Sequence, residues 1–346
     1  MIELLKEVGR GKRGAKDLGY EDAARAAEAI LGGSATPAQV GAFLIAERIK
    51  MESVEEIEAF VRVCRSYAER DGQQGGVDLA GPYDGRKRSF MATFPTAFVL
   101  AAGGLPATLH GAAPLPPKWG VTLHCLLEAA GLRPDRLPRA ALRAAARRTG
   151  VLYVPSESWC PPLARLRPIR EQLGLRTVLN TAEKLLDYGG SPHLVFGVYH
   201  NTVLERIARL LTGLGYGRSL VIQGAEGSED VHAGRPTRMY VVENGEARLQ
   251  VLDPEALGFE LEDEECDWTA EQQLAAAEAV LAGEGTVAHA GAVQLNAALR
   301  LQLAGRAGSL EEGVYIAKAL LDDGSALAAY RAWLGMLAAP AAEAVE

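Results

Sequence analysis

Three adjacent cations close the loop Gly81-Pro82-Tyr83-Asp84-Gly85-Arg86-Lys87-Arg88. Like charges this close repel by roughly 1 kcal/mol per pair even in water, so an anion or a functional demand must hold such a run together. The chemistry the loop offers is recognition of phosphate. Its surroundings agree, because residues 86–176 hold fourteen Lys or Arg against four acids, in a chain of 346 residues whose net charge is -8. The rest of the chain is acidic, so the average charge conceals a basic middle segment. Within it, Arg133, Arg136, Arg139, Arg143, Arg147 and Arg148 read as the solvated face of one or two helices. Tyr83, Phe90 and Trp119 are placed to be either stacking faces for unpaired bases or core.

The elements that must position this loop can be read from the hydrophobic pattern. Residues 1 to about 70 read as helices only: one over Glu21–Leu31 stopping at Gly32-Gly33, one entered through Thr36-Pro37 and running through Val40, Phe43, Leu44 and Ile49, and one opened by a capping box at Ser53 and Glu56. After the Gly-rich stretch Gly72–Gly76, short apolar runs alternate with helical ones. Residues 106–109, 151–154, 194–199 and 219–222 read as strands, with helices over 121–130 and 203–214 between them, which implies parallel strands with crossover helices. Asn244-Gly245 between two apolar runs marks an appended hairpin. The C-terminal part is helical from Ala270, with another capping box expected at Ser309 and Glu312. The fold class expected is α/β: a small all-helical domain over 1–72 that dimerises, joined by part of 165–190, and a larger domain over 73–346 with a mainly parallel sheet flanked by helices.

Cys64, Cys125, Cys160 and Cys266 are scattered without CxxC spacing, so they indicate neither a zinc site nor a disulfide framework. The start of the chain is charged and no run of eighteen apolar residues occurs, so a cytoplasmic protein without a membrane partner is expected.

With those elements placed, the sequence resembles the anthranilate phosphoribosyltransferase family, which shares its fold with the pyrimidine nucleoside phosphorylases. Ala35-Thr36-Pro37-Ala38-Gln39-Val40-Gly41-Ala42-Phe43-Leu44 resembles the family's helical-domain signature. Arg167-Pro168-Ile169-Arg170, Gly197-Val198-Tyr199 and Gly234-Arg235-Pro236-Thr237-Arg238 follow family segments in the same order. The resemblance implies a homodimer. In that family a Gly-Thr-Gly-Gly-Asp-Gly loop cradles the pyrophosphate of phosphoribosyl pyrophosphate; here the matching stretch is Ala80-Gly81-Pro82-Tyr83-Asp84-Gly85. Proline removes a backbone donor and Tyr83 puts a ring where a phosphate would approach glycine. Of a second motif, Lys-His-Gly-Asn-Arg with a Ser-rich loop, only His110 and Lys118 survive. Arg170 matches an arginine used near the aromatic acid, and Glu229-Asp230 inverts the family's Asp-Glu pair for magnesium.

Two functions follow. In the first, Asp78, Asp84, Gly85, His110, Lys118, Arg170 and a magnesium ion on Glu229 and Asp230 retain phosphoribosyl or glycosyl transfer to an aromatic or base acceptor. In the second, favoured here, Arg86, Lys87, Arg88, Lys118, Arg165, Arg167 and Arg170 line a groove for a polyanion, single-stranded DNA or RNA, with a phosphorylated small molecule as the other ligand class. A divergent branch of the family with a similarly altered loop and a segment like Asn180-Thr181-Ala182-Glu183-Lys184-Leu185-Leu186 binds nucleic acid, and the resemblance extends to it. No cofactor is required by the second reading.

Overall fold

The computed structural model describes residues 1–11, 13–70, 75–259, 261–262 and 266–339. The boundary expected at residues 72–73 lies outside them. Four helices come first: α1 (Ile2–Val8), α2 (Tyr20–Leu31), α3 (Pro37–Lys50) and α4 (Val54–Tyr67). Capping boxes set two of the entries. Thr36 Oγ1 accepts from Gln39 N while the Gln39 side chain accepts from Thr36 N, and Ser53 and Glu56 repeat the arrangement at α4. Ile49 does not face the core, being 68% exposed.

Among the described residues the sheet has seven strands: β1 (Val77–Ala80), β2 (Ala107–Gly111), β3 (Val151–Pro155), β4 (His193–Gly197), β5 (Arg218–Ile222), β6 (Thr237–Glu243) and β7 (Glu246–Leu252). Their spatial order is β3-β2-β1-β4-β5-β6-β7, parallel through β5 and antiparallel for the β6–β7 hairpin. Asn244 and Gly245 make the hairpin turn with φ of 52° and 78°, the left-handed region such a tight turn demands. The strand order reverses between β1 and β4. In open α/β sheets the crevice beyond the carboxyl ends of the strands at such a switch point is where ligands bind. The loop after β1 is the basic loop 81–88, so topology delivers it to that crevice.

Helices α5 (Thr93–Ala102), α6 (Leu123–Ala129), α7 (Arg139–Thr149), α8 (Ser156–Trp159), α9 (Pro161–Leu173), α10 (Leu179–Ala182) and α11 (Leu204–Gly213) connect the strands, and α12 (Ala270–Leu281), α13 (Val287–Leu303), α14 (Leu310–Asp322) and α15 (Ser325–Ala338) complete the chain. Phe94, Phe98, Tyr330 and Trp333 lock α5 to α15 edge to face. α9 packs on α2, α3 and α4, while α10 and α11 pack on α4, so one hydrophobic core runs through both parts of the protein. At α14, Ser309 Oγ caps Glu312 N, but the Glu312 carboxylate turns to Gly308 N, so the expected reciprocal box is half made. Among the described residues no helix is long and apolar enough to cross a membrane.

One buried charge cluster in the helical part predicts a pH effect. Glu47 is 1% exposed, both its oxygens lack a hydrogen-bond partner, and Lys50 lies 3.5 Å away. Burial, then the neighbouring Glu56 charge, pushes its carboxyl up to about 8 against the pull of Lys50. The folded state therefore holds a proton that the unfolded chain releases. Stability from this group is present at acid pH and is lost as pH rises from the ordinary carboxylate range through about 8. Glu47→Gln should flatten that decline, read as urea midpoints from pH 5 to 9; an unchanged slope would show Glu47 ionised throughout.

Candidate functional site

The basic triplet splits. Arg86 turns inward and is 1% exposed, whereas Lys87 and Arg88 stay at the surface. Gly85 makes the inward turn with φ of 74°, and a side chain there would meet the Gly120 carbonyl oxygen at 2.3 Å, so only glycine fits. Arg86 then pairs its backbone with Val121, N to O at 2.8 Å and O to N at 2.7 Å. Its guanidinium reaches Asp230 Oδ2 at 2.7 Å and Glu229 Oε1 at 3.3 Å, and donates to the Phe90 carbonyl at 3.0 Å.

Asp230 is fully engaged. Thr93 donates to it from both N (2.9 Å) and Oγ1 (2.7 Å), and Arg300 Nη2 lies 3.3 Å from Oδ1. The same hydroxyl lies within hydrogen-bond reach of Glu229 Oε1, so its one proton is shared between the two carboxylates. Burial raises the Asp230 carboxyl, but Arg86 and Arg300 outweigh it and hold the group below the usual carboxylate range. A divalent cation, implied for this pair by the family resemblance, does not fit it as it stands. The position facing both carboxylates is taken by a guanidinium, and of the pair's four oxygens only Glu229 Oε2 lacks a hydrogen-bond partner. Among the described residues no group of three or more His, Cys, Asp or Glu is gathered to hold a metal.

Beside Arg86 the cradle region is filled. Tyr83 is 3% exposed, and its hydroxyl meets His110 Nδ1 at 2.7 Å and Ser156 Oγ at 2.5 Å; the other ring nitrogen of His110 meets Asp78 Oδ1 at 2.8 Å. His110 is thus a buried link in an Asp78–His110–Tyr83–Ser156 chain that engages both of its ring nitrogens. The space left among Gly81, Pro82, Tyr83, Arg86, His110 and Glu229 is about 10 Å³, room for one water.

Other expected cations are committed to the protein itself. Arg170, 2% exposed, makes a bidentate pair with Glu183 at 2.6 and 2.9 Å. Arg167 pairs with Glu157 at 2.8 Å and donates to the carbonyls of Ala113 and Pro114, stapling the loop after β2 to α9. Arg165 donates to the Leu31 carbonyl at the end of α2. Asp84, expected at the ligand, accepts from Arg176 at 2.6 Å and lies 3.4 Å from Lys118. The groove read from the sequence is therefore not lined by Arg86, Arg167 and Arg170, which the fold turns to its own carboxylates and carbonyls, while Arg165 stays exposed with its guanidinium on the carbonyl that ends α2. Arg147 and Arg148, in the last turn of α7, lie at the amino end of β3, the opposite edge of the parallel sheet from loop 81–88.

Next to the filled cradle opens a cavity of about 660 Å³, within the usual range for a ligand site. Arg88, Lys118, His232, Arg235 and Arg238 line it, with Glu226, Glu262 and one edge of Asp230 supplying negative charge. Two large rings are exposed at this end of the sheet, Tyr199 (52%) on the cavity wall and Trp119 (50%) beside Lys118. Phe90 instead packs on His289 at 4.4 Å between ring centroids and on Trp268 at 6.0 Å. Burial pulls the Lys118 ammonium below its ordinary value.

Sequence reasoning missed Glu226, Ser89, Arg176, Arg300 and Lys184. Lys184 donates to the Gly197 carbonyl at 2.7 Å and sits 3.8 Å from the centre of the Phe196 ring, and burial pulls it down to about 7. Glu226, Ser89, Arg176 and Arg300 act through partners far away in sequence, and Lys184 through one 13 residues on. The only local signal was the segment around Asn180, which carries Lys184.

Residues 77–327 match the family described as "Glycosyl transferase family, a/b domain", and residues 2–68 match its helical bundle domain. The chain is 34% identical over 318 residues to an anthranilate phosphoribosyltransferase of Thermomicrobium roseum, covering 90% of each protein, and 33% identical to one of a Bradyrhizobium strain, covering 94% of this chain and 96% of that protein. The crystal structure of anthranilate phosphoribosyltransferase from Thermus thermophilus superimposes with a TM-score of 0.82 at 27% identity, over 96% of this chain and 99% of that one. The Saccharomyces cerevisiae enzyme, solved in complex with PRPP and Mg, shares the fold with a TM-score of 0.80 at 17% identity. From the strand order to the two matched domains, these likenesses place the chain in the anthranilate phosphoribosyltransferase family.

Proposed function

We propose that this protein binds single-stranded nucleic acid at the carboxyl edge of its sheet and has given up the pyrophosphate cradle of its relatives. The observation that carries this reading is the pairing of a closed cradle, with about 10 Å³ left, and an open cavity of about 660 Å³ beside it. The cavity presents cations on flexible stems, Arg88, Arg235 and Arg238, and has exposed rings at hand in Tyr199 and Trp119. Cations suit a repeated phosphate backbone, and rings stack on bases without regard to sequence. In the homodimer we propose for the helical domain, two such cavities would engage one strand and raise the overall affinity by linkage.

A labelled oligonucleotide followed by anisotropy tests this. Affinity should fall steeply with salt, by about 0.7 in log–log slope for each phosphate contact. Replacing Lys87, Arg88 and Arg235 together by alanine should weaken binding at least tenfold and flatten the slope by roughly 2. Trp119→Ala should weaken it with little change in slope, because stacking releases no counterions. No binding at low salt, or binding indifferent to salt, would refute the reading.

The second reading is magnesium-dependent transfer of a phosphoribosyl group to an aromatic or base acceptor. It is favoured by the 30–34% identity to proteins named anthranilate phosphoribosyltransferase over most of the chain. Against it stand the Tyr83 ring and the Arg86 guanidinium. Release of pyrophosphate from phosphoribosyl pyrophosphate by the wild-type protein with anthranilate and magnesium would establish it. Protection from heat by a phosphorylated small molecule alone would point to that ligand class instead.

A further inference from the structure

Glu226 projects its carboxylate into a cup formed by the loop after β1. Oε2 accepts from the backbone N–H groups of Lys87 (3.1 Å), Arg88 (2.9 Å) and Ser89 (2.9 Å) and from Ser89 Oγ (2.7 Å), and Oε1 lies 3.1 Å from Lys87 N. Three successive amides converging on one oxygen make a nest, a concavity of positive potential that suits an oxyanion. Glu226 reaches it from a left-handed conformation, φ 51° and ψ 25°, followed by Gly227 at φ 79°. Lys118 Nζ secures the turn by donating to the Glu226 carbonyl at 3.0 Å. Arg88 and Ser89 of the nest and Glu226 all line the 660 Å³ cavity.

We infer that the 87–89 nest is a binding site for a phosphate or pyrophosphate group and that Glu226 occludes it as an internal competitor until such a group displaces the carboxylate. The nest offers four donors to one oxygen, more than one carboxylate oxygen needs and a good match to a phosphoryl oxygen. It makes no demand on the filled cradle or on a metal. Although burial works against it, donation from Ser89 Oγ and from the amides of Arg88, Lys87 and Ser89 holds the Glu226 carboxyl below its ordinary range, a measure of how anion-seeking the nest is. Only the identity of the larger ligand rests on the nucleic-acid reading above; the nest itself does not.

Isothermal titration with inorganic pyrophosphate, without metal, tests the inference on the full-length chain. Glu226→Gly removes the competitor and suits the positive φ, and should raise pyrophosphate affinity at least tenfold over wild type. Glu226→Gln, whose neutral amide oxygen competes less well, should fall between them. Ser89→Ala in the Glu226→Gly background should remove several-fold of the gain. Unchanged or weaker binding in both Glu226 variants, each with a native melting transition, overturns the inference whatever the protein does with DNA. A gain in pyrophosphate affinity with no oligonucleotide binding in any variant supports the occluded nest and sinks the nucleic-acid reading. Salt-dependent oligonucleotide binding that Glu226→Gly leaves alone, with pyrophosphate also unchanged, sinks the nest and spares that reading.

Discussion

Arg86→Ala should destabilise the protein by about 3–5 kcal/mol, the usual cost of removing one partner from a buried ionic cluster. Glu229 and Asp230 are 1% and 2% exposed, and without the guanidinium only Arg300 and Thr93 remain to satisfy them. Asp230 is held in its ionised form first by Arg86 and then by Arg300, against burial. A carboxylate with a depressed folded value contributes stability that is present above its unfolded range and lost as pH falls through the folded one. The variant forfeits much of that contribution, so the gap between wild type and Arg86→Ala should be widest near neutrality and shrink toward pH 4. A second outcome separates charge from packing. With the resident cation gone, the pair becomes a dicarboxylate site with an empty cationic position, and millimolar magnesium should raise the urea midpoint of Arg86→Ala while leaving wild type unmoved. If magnesium instead stabilises wild type, the guanidinium yields to a metal and the account of this site given above fails.

The same residue shows where sequence reading reaches its limit. Elements were legible where the signal is local: Thr36 before Pro37, and Ser53 three residues before Glu56, cap their helices as read, and Asn244-Gly245 turns its hairpin. β1 was not read as a strand, because its four residues are all buried and give no alternation, and because Asp78 in its middle looks like a loop residue until His110 is seen beside it. The repulsion within the triplet calls for an anion or a functional demand to hold it together. That the anions are the protein's own, Glu226 for the amides and Glu229 and Asp230 for Arg86, depends on partners 137–144 residues away. No spacing rule reports such a contact. Charge counting also treats Arg86, Arg167 and Arg170 as equal to Lys87 and Arg88, whereas burial separates those facing carboxylates from those facing solvent.

Arg170 is the sharpest case, because the ligand and structural roles predict opposite experiments. It lies on α9, the helix that joins the α/β part to α2, α3 and α4, and its fork meets both oxygens of Glu183. Burial raises the Glu183 carboxyl even against the pull of Arg170, so the pair holds together two groups the interior disfavours. Arg170→Ala should therefore cost about 3–5 kcal/mol, comparable to Glu183→Ala, while Arg170→Met with Glu183→Leu should recover most of the loss, since an apolar pair of similar volume needs no charge compensation. Urea denaturation of wild type, Arg170→Ala, Glu183→Ala and the double alanine variant closes the cycle, and a coupling of at least about 1 kcal/mol marks the pair as a unit. The loss in Arg170→Ala should also shrink at acid pH, where the abandoned Glu183 takes up a proton. Were Arg170 a ligand contact instead, the alanine variant would fold with near wild-type stability and lose oligonucleotide or pyrophosphate affinity. The bidentate geometry leaves its fork no spare face for that role, so the stability loss should come first and the rescued double variant should bind as wild type does.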